Sequence, residues 1–172
     1  MGRQMGHVSE NWEEWLRLYG PALLLFARQW ARDGQDAEDL LQEAFLRFWK
    51  SRQQAQDPKA YLFSCVRNCA LELHRAERRL KERERITEKS AHGFAEPAFV
   101  QRPEQDEQRQ ALEAALKELP DEQREVVVMK IWGGLTFPQI AEVAGTPADT
   151  AASRYRYAMQ SLRRALAKEA LQ

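Results

Sequence analysis

A chain of 172 residues with 44% hydrophobic content has room for one domain or two small helical ones, each with a modest core. Its 26 basic side chains balance 26 acidic ones, and the 30% charged content is that of a globular protein rather than a polyelectrolyte tail. No apolar run approaches the roughly 20 residues of a membrane span, and the polar start MGRQMGHVSEN has no signal-peptide h-region, so a cytoplasmic location is expected.

Taken in order, Trp12, Trp15, Leu16, Tyr19, Leu23, Phe26, Ala27 and Trp30 recur at three- and four-residue steps, which predicts an amphipathic helix from Trp12 to Arg32. Gly20-Pro21 marks either a kink in it or a break into two short helices. Asp33-Gly34 reads as a turn and Asp36 as the N-cap of a second helix, with Glu38 and Asp39 near its positive end. Leu40, Leu41, Ala44, Phe45, Phe48 and Trp49 form its apolar stripe. The acids fit a solvated capping face or a protein-binding face.

Ser51 to Asp57 is a short polar loop, and Pro58 fits the first turn of the next helix. That helix has Tyr61, Leu62, Cys65, Val66, Cys69, Ala70 and Leu73 on a buried stripe, leaving Lys59, Phe63, Arg67, Asn68, Glu72 and Arg75 at the rim. Aromatic faces that stack on bases beside cations that track phosphates make a single-strand surface, and the same pattern also describes the wet side of any amphipathic helix. From His74 to Arg85 the chain turns basic, with six Arg or Lys against three Glu. Cys65 and Cys69 are four residues apart on one helix face, where a disulfide closes no useful loop and His74 completes no zinc motif. They are expected as small core residues, with no metal and no cofactor.

From Thr87 to Asp106 periodicity fails and Gly93, Pro97 and Pro103 punctuate the chain, which predicts a linker able to span up to about 66 Å. Phe94, Phe99 and Val100 give it apolar points that could dock. A helix over Glu107 to Leu119 follows, with Ala111, Leu112, Ala115, Leu116 and Leu119 as its stripe. Pro120 separates it from a helix over Asp121 to Trp132, which Gly133-Gly134 ends. Thr136 and Gln139 make a capping box for a short helix through Ala144, and Gly145 supplies a turn. Thr146, Pro147 and Asp149 then fix the start of a last helix. A short helix, a glycine turn and a well-capped long helix make a helix-turn-helix. Ala151, Tyr155, Ala158, Leu162 and Leu166 pack inward, which leaves Thr150, Ser153, Arg154, Arg156 and Tyr157 where a recognition helix meets duplex DNA.

At this point the residues resemble a known family. DAEDLLQEAFLRFW looks like region 2.2 of bacterial sigma factors, PKAYLFSCVRNCALELHRAERR like regions 2.3 and 2.4, and LPDEQREVVVMKIWGGLTFPQIAEVAGTPADTAASRYRYAMQSLRRAL like region 4. With no region 3 between them, the arrangement is similar to the extracytoplasmic-function sigma factors. The resemblance implies an all-α chain of two small domains, a region 2 domain over 8–86 and a region 4 domain over 107–172, joined by a linker over 87–106.

It also implies roles. Asp39, Leu40, Leu41, Gln42 and Glu43 match the segment that contacts the clamp helices of the polymerase largest subunit. Tyr61 stands where the family usually has Trp, and Asn68 matches an asparagine beside the minus-ten bases. Arg67, Arg75, Arg78 and Arg79 would supply charge to the melted strand, with Lys59 on the same rim. Thr150, Ser153 and Arg154 match positions that meet the minus-thirty-five element. Region 4 docks on the flap of the second-largest subunit, and the family implies an inhibitory anti-sigma partner.

The departures are specific. Ser51 to Asp57 is shorter than the family's usual loop, which cradles a flipped base. Ala151-Ala152 replaces a frequent Val-Lys or Val-Arg, Tyr157 a frequent basic residue, and Arg156 adds a charge at an often apolar position. The expectation is a transcription initiation factor that acts by binding and is not an enzyme. The competing readings are a sigma mimic that binds an anti-sigma factor, a stand-alone helix-turn-helix regulator, and a metal or redox enzyme centred on Cys65 and Cys69.

Overall fold

The structure, a computed structural model, describes residues 12–84 and 106–169. These form seven α-helices and one 3-10 turn: α1 (Trp12–Arg28), α2 (Gly34–Ser51), the turn (Arg52–Gln54), α3 (Pro58–Glu84), α4 (Asp106–Lys117), α5 (Asp121–Ile131), α6 (Phe137–Ala144) and α7 (Ala148–Glu169). Among the described residues there is no strand, as an all-α chain requires. The expected docking points Phe94, Phe99 and Val100 lie outside the described residues.

The first three helices make one bundle. Pro21 lies inside α1 without breaking it. Leu23, Phe26 and Ala27 beyond the proline and Trp15 before it are all buried, so packing on both sides holds the helix through the lost hydrogen bond. The cap of α2 is Asp33 rather than Asp36: its carboxylate accepts from the Asp36 amide at 2.8 Å, three residues ahead as an N-cap demands. Asp57 caps α3 in the same way, accepting from the Ala60 amide at 3.0 Å. Against expectation Phe63 is not at the rim but fully buried, its ring 5.5 Å from that of Phe26.

The second bundle has a small core of its own, Ala115, Leu116, Leu119, Val127, Ala158 and Leu162, which ties α4, α5 and α7 together. The capping box on α6 forms as the sequence predicts, with Thr136 and Gln139 each accepting from the other's backbone. Gly145 ends α6 at φ 64°, a left-handed conformation that only glycine adopts without strain.

The two bundles share a seam. Val126, Val128, Met129, Leu135 and Ile140 of the second belong to the same continuous core as Leu23, Phe26, Phe63 and Val66 of the first. Helix α6 packs on α3 and α5 on α1. At this seam Gly133 leaves no room for a side chain. A Cβ there would lie 2.5 Å from the Met129 carbonyl oxygen, 2.8 Å from Leu135 Cδ1 and 2.9 Å from Phe63 Cζ.

These contacts separate two adjacent glycines. Gly133→Ala collides with backbone and with two buried side chains, and should lower stability in urea unfolding by about 1–3 kcal/mol. Gly134, at φ 59°, has only the flexible Lys59 Nζ near its Cβ direction, so Gly134→Ala should lose only the roughly 1–2 kcal/mol of a left-handed alanine. Equal losses at the two positions would mean that the seam tolerates a methyl group.

Candidate functional site

Three surfaces carry the residues singled out by the sequence. On α2 the acids Glu38, Asp39 and Glu43 and the amide of Gln42 are exposed, whereas Leu40 and Leu41 are buried. Asp39 receives a hydrogen bond from Gln35 at 3.3 Å. Glu43 is held more firmly: Arg47 bridges it and Glu72 of α3, at 2.8 Å to each, and the two carboxylates raise the pKa of the guanidinium. Leu41 also borders an open apolar groove of about 610 Å³ between α1 and α2, lined by Trp12, Leu16, Phe45, Leu46 and Trp49 together with Glu38 and Gln42. Trp12, Leu16 and Leu46 are 53%, 40% and 59% exposed. Sequence periodicity placed Trp12 and Leu16 on a buried stripe. Their pairing with an acidic rim needed the packing of α1 on α2 to be seen.

The second surface is the exposed side of α3. Tyr61, Asn68 and Arg75 line a cavity of about 220 Å³ together with Arg47, Cys65 and Glu72. Arg78 and Arg79 are exposed further along, and Arg79 donates to the Arg75 carbonyl oxygen at 3.2 Å. Two of the expected strand-facing residues have partners in the other bundle. Lys59 Nζ donates to the Gly134 carbonyl oxygen at 3.2 Å, with burial lowering its pKa, and Arg67 Nε donates to Glu125 Oε2 at 3.0 Å. Glu125, on α5, is 2% exposed and was not singled out by the sequence, in which it is one more acid on an amphipathic helix. Burial raises its pKa, against the opposing pull of Arg67 and Arg154.

Cys65 and Cys69 are free and buried. Burial raises both thiols, Cys69 to about 11, which leaves little thiolate at neutral pH, and no group of metal-ligating side chains occurs among the described residues. His74 donates from Nε2 to the Trp30 carbonyl oxygen at 2.8 Å, a structural tie between α3 and the end of α1.

The third surface is the start of α7. Arg156 and Tyr157 are exposed, with the guanidinium 5.4 Å from the ring centroid, while Thr150, Ser153 and Arg154 are half-buried. Arg154 Nη2 donates to Glu122 Oε2 of α5 at 2.6 Å, so its charge is partly matched within its own bundle. Phe137 of α6 stacks edge-on against Tyr155, 5.7 Å between centroids, and fixes the angle at which α7 leaves the turn.

Two family models match in chain order: Sigma-70 region 2 over residues 15–80 and Sigma-70, region 4 over residues 109–168. Among curated relatives, the RNA polymerase sigma-E factor of Streptomyces coelicolor is 32% identical over 165 residues, 94% of this chain and 89% of the relative. The ECF RNA polymerase sigma factor SigE of Mycolicibacterium smegmatis is 31% identical over 161 residues, 92% of this chain and 62% of the relative. The fold is shared with the sigma factor RpoE from Bartonella quintana, solved in complex with the anti-sigma factor NepR. The TM-score is 0.67 at 24% identity, over 90% of this chain and 95% of that one.

The electrostatics of Glu125 give a test by pH. Its folded pKa lies above the ordinary glutamate value, so its contribution to stability is complete below that value and is lost as pH rises through the folded pKa. Glu125→Gln keeps the shape and an acceptor for Arg67 without the buried charge. The variant should be at least as stable as the parent at pH 7, with the difference shrinking as pH falls toward 4 in chemical denaturation. A variant that is markedly weaker at pH 7 and level at pH 4 would show that the ion pair outweighs its burial.

Proposed function

This chain belongs to the sigma-70 family of RNA polymerase sigma factors, in its extracytoplasmic-function group, and on that premise we propose how its surfaces divide the work of initiating transcription. It is an alternative sigma factor, which binds core RNA polymerase and directs it to promoter DNA. It acts by binding in the cytoplasm, and the polymerase supplies the chemistry. The observation that carries the division is the run of exposed acids on α2, with Glu38 at the edge of an open apolar groove, on the opposite charge footing from the arginine-bearing side of α3.

The handle for the largest-subunit clamp helices is Asp39, Gln42 and Glu43, with Leu40 and Leu41 holding the helix in place from beneath and Leu41 also reaching the groove. Amphipathic helices seat well in such a groove because the apolar floor supplies affinity and the acidic edge selects basic partners. The minus-ten surface is Tyr61, Asn68 and Arg75 around their cavity, with Lys59, Arg67, Arg78 and Arg79 along the strand. Thr150, Ser153, Arg154, Arg156 and Tyr157 form the minus-thirty-five surface on α7. The second bundle would also meet the polymerase flap, and an anti-sigma partner would act by covering the α2 face.

One observation favours a second reading, a mimic that occupies an anti-sigma factor and does not contact promoters: Arg154 is already paired with Glu122, and the chain carries no net positive charge to attract duplex DNA. In vitro transcription with core polymerase and a genomic promoter library separates the two, since a mimic gives no promoter-specific transcripts.

Asp39→Lys is the cleanest change at the handle, because Glu43 also serves Arg47, whereas among the described residues Asp39 receives the Gln35 side-chain amide alone. It should weaken core-polymerase binding by at least about tenfold with unchanged helix content. Unchanged affinity would move the handle elsewhere. Arg154→Ala should lower affinity for upstream promoter duplex by about 1–3 kcal/mol while leaving core binding intact. Full promoter affinity in that variant would show that α7 is turned differently on the DNA.

A further inference from the structure

Glu72 is an acid on the side of α3 that carries Asn68 and Arg75. Tyr61, Cys65, Asn68, Glu72 and Arg75 recur every three or four residues, so they stack along one face, and Arg47 of α2 joins them around the cavity of about 220 Å³. Burial keeps Cys65 a neutral thiol, which leaves Glu72 the one anion of this lining. The phosphates of a bound strand would be repelled by it. An ion pair between half-exposed side chains adds little stability, so a purely structural reason for Glu72 is weak. Arg47 already has a carboxylate on its own helix, Glu43, and needs no second one to be matched in charge.

The pair does fix where an acceptor stands. Arg47 Nε donates to Glu43 Oε1 at 2.8 Å, and Nη1 lies 2.8 Å from Glu72 Oε2, so the guanidinium is anchored on α2 and in turn holds the carboxylate at the cavity. Glu72 Oε1 is left for a donor from outside. A carboxylate accepts hydrogen bonds and donates none. Adenine, cytosine and guanine each carry an exocyclic amino group, whereas thymine presents carbonyl oxygens that a carboxylate repels. An unpaired base exposes that edge to a protein side chain, which a paired one does not.

We propose that Glu72 is a specificity-determining residue of the minus-ten surface: positioned by Arg47, it accepts from the exocyclic amino group of one unpaired promoter base, so that the cavity takes an amino-bearing base and refuses thymine. The proposal rests on the assignment of Tyr61, Asn68 and Arg75 to the minus-ten element made above. Tyr61, braced by Phe48 with 6.0 Å between ring centroids, offers aromatic surface to any base, and Arg75 offers donors to ring nitrogens and carbonyl oxygens. Glu72 adds the discrimination that these do not supply.

The test uses the full chain assembled with core polymerase on fork-junction promoter DNA whose unpaired minus-ten positions are randomised. At one position the parent should bind thymine about tenfold more weakly than the best base, the discrimination of one hydrogen bond to a charged group. Glu72→Gln, whose amide both donates and accepts, should largely abolish that difference while preferences at the other positions and affinity for core polymerase stay as they were. Exchanging the favoured base for an analogue without its amino group (purine for adenine, 2-pyrimidinone for cytosine, hypoxanthine for guanine) should cost the parent about tenfold and the variant clearly less. Arg47→Met should blunt the same preference and Arg47→Lys should retain most of it, with core affinity measured alongside to separate any effect through Glu43. Glu72 is 54% exposed, so its substitution does not endanger the fold, and circular dichroism checks that the helices persist.

A parent with no base preference at any minus-ten position overturns the minus-ten assignment and the proposal with it. Preferences that persist unchanged in Glu72→Gln leave the assignment standing and overturn the role of Glu72. A Glu72-dependent position at which thymine is the favoured base overturns the amino-group chemistry. Equal losses in Arg47→Met and Arg47→Lys overturn the positioning by Arg47.

Discussion

The contact of Phe63 with the backbone of Gly133 is the constraint on which the two halves depend. Phe63 is fully buried, and its burial is shared: Phe26 covers it from within the first bundle, while Gly133 and Leu135 approach it from the second. A phenylalanine removed from water contributes roughly 1.5–3 kcal/mol, comparable to the contribution of a single good cap or a few hydrogen bonds. Only a glycine lets the turn after α5 come close enough to complete that burial. The polar contacts of Asp57, Lys59 and Arg67 then fall around the edge of the apolar patch, where they set its register.

The sequence made the individual helices legible and left the relation between them obscure. Caps that depend on a few neighbouring residues, such as Thr136 with Gln139 and Gly145 after α6, could be read directly because their chemistry is local. So could the inward faces of α2 and α3. Asp33 was displaced by Asp36 as the expected cap because two acids three residues apart both suit the position, and only the backbone decides between them. Phe63 was expected at the rim for a different reason. Periodicity reports which side of a helix is apolar, not what covers it, and Phe63 is covered only in part by its own bundle, through Phe26, the rest coming from Gly133 and Leu135.

The same limit explains the site. Asp39, Gln42 and Glu43 are exposed on one face as their spacing requires, whereas the exposed Trp12 and Leu16 of α1 fall in the apolar pattern of the sequence. Glu125 was invisible because its partner, Arg67, is 58 residues away. A charged pair across such a distance leaves no trace in spacing. Two motif matches in order could give the family, but they could not show that a cation of the first motif is paired with an anion of the second.

Charge pairing also orders the surfaces. Arg67 and Arg154 are matched to acids of the second bundle, Glu125 and Glu122, while on α2 Glu38 stands exposed at an open groove with Asp39 exposed next to it in sequence. The groove beside α2 stays open, whereas the Lys59 and Arg67 side chains of α3 are turned to the second bundle. With no net charge to draw it to DNA, the chain has little reason to meet the duplex alone. The apolar groove lies on α1 and α2, whereas the seam with the second bundle is formed by α1 and α3. Because α1 takes part in both, a partner seated in the groove can bias the seam without touching α3.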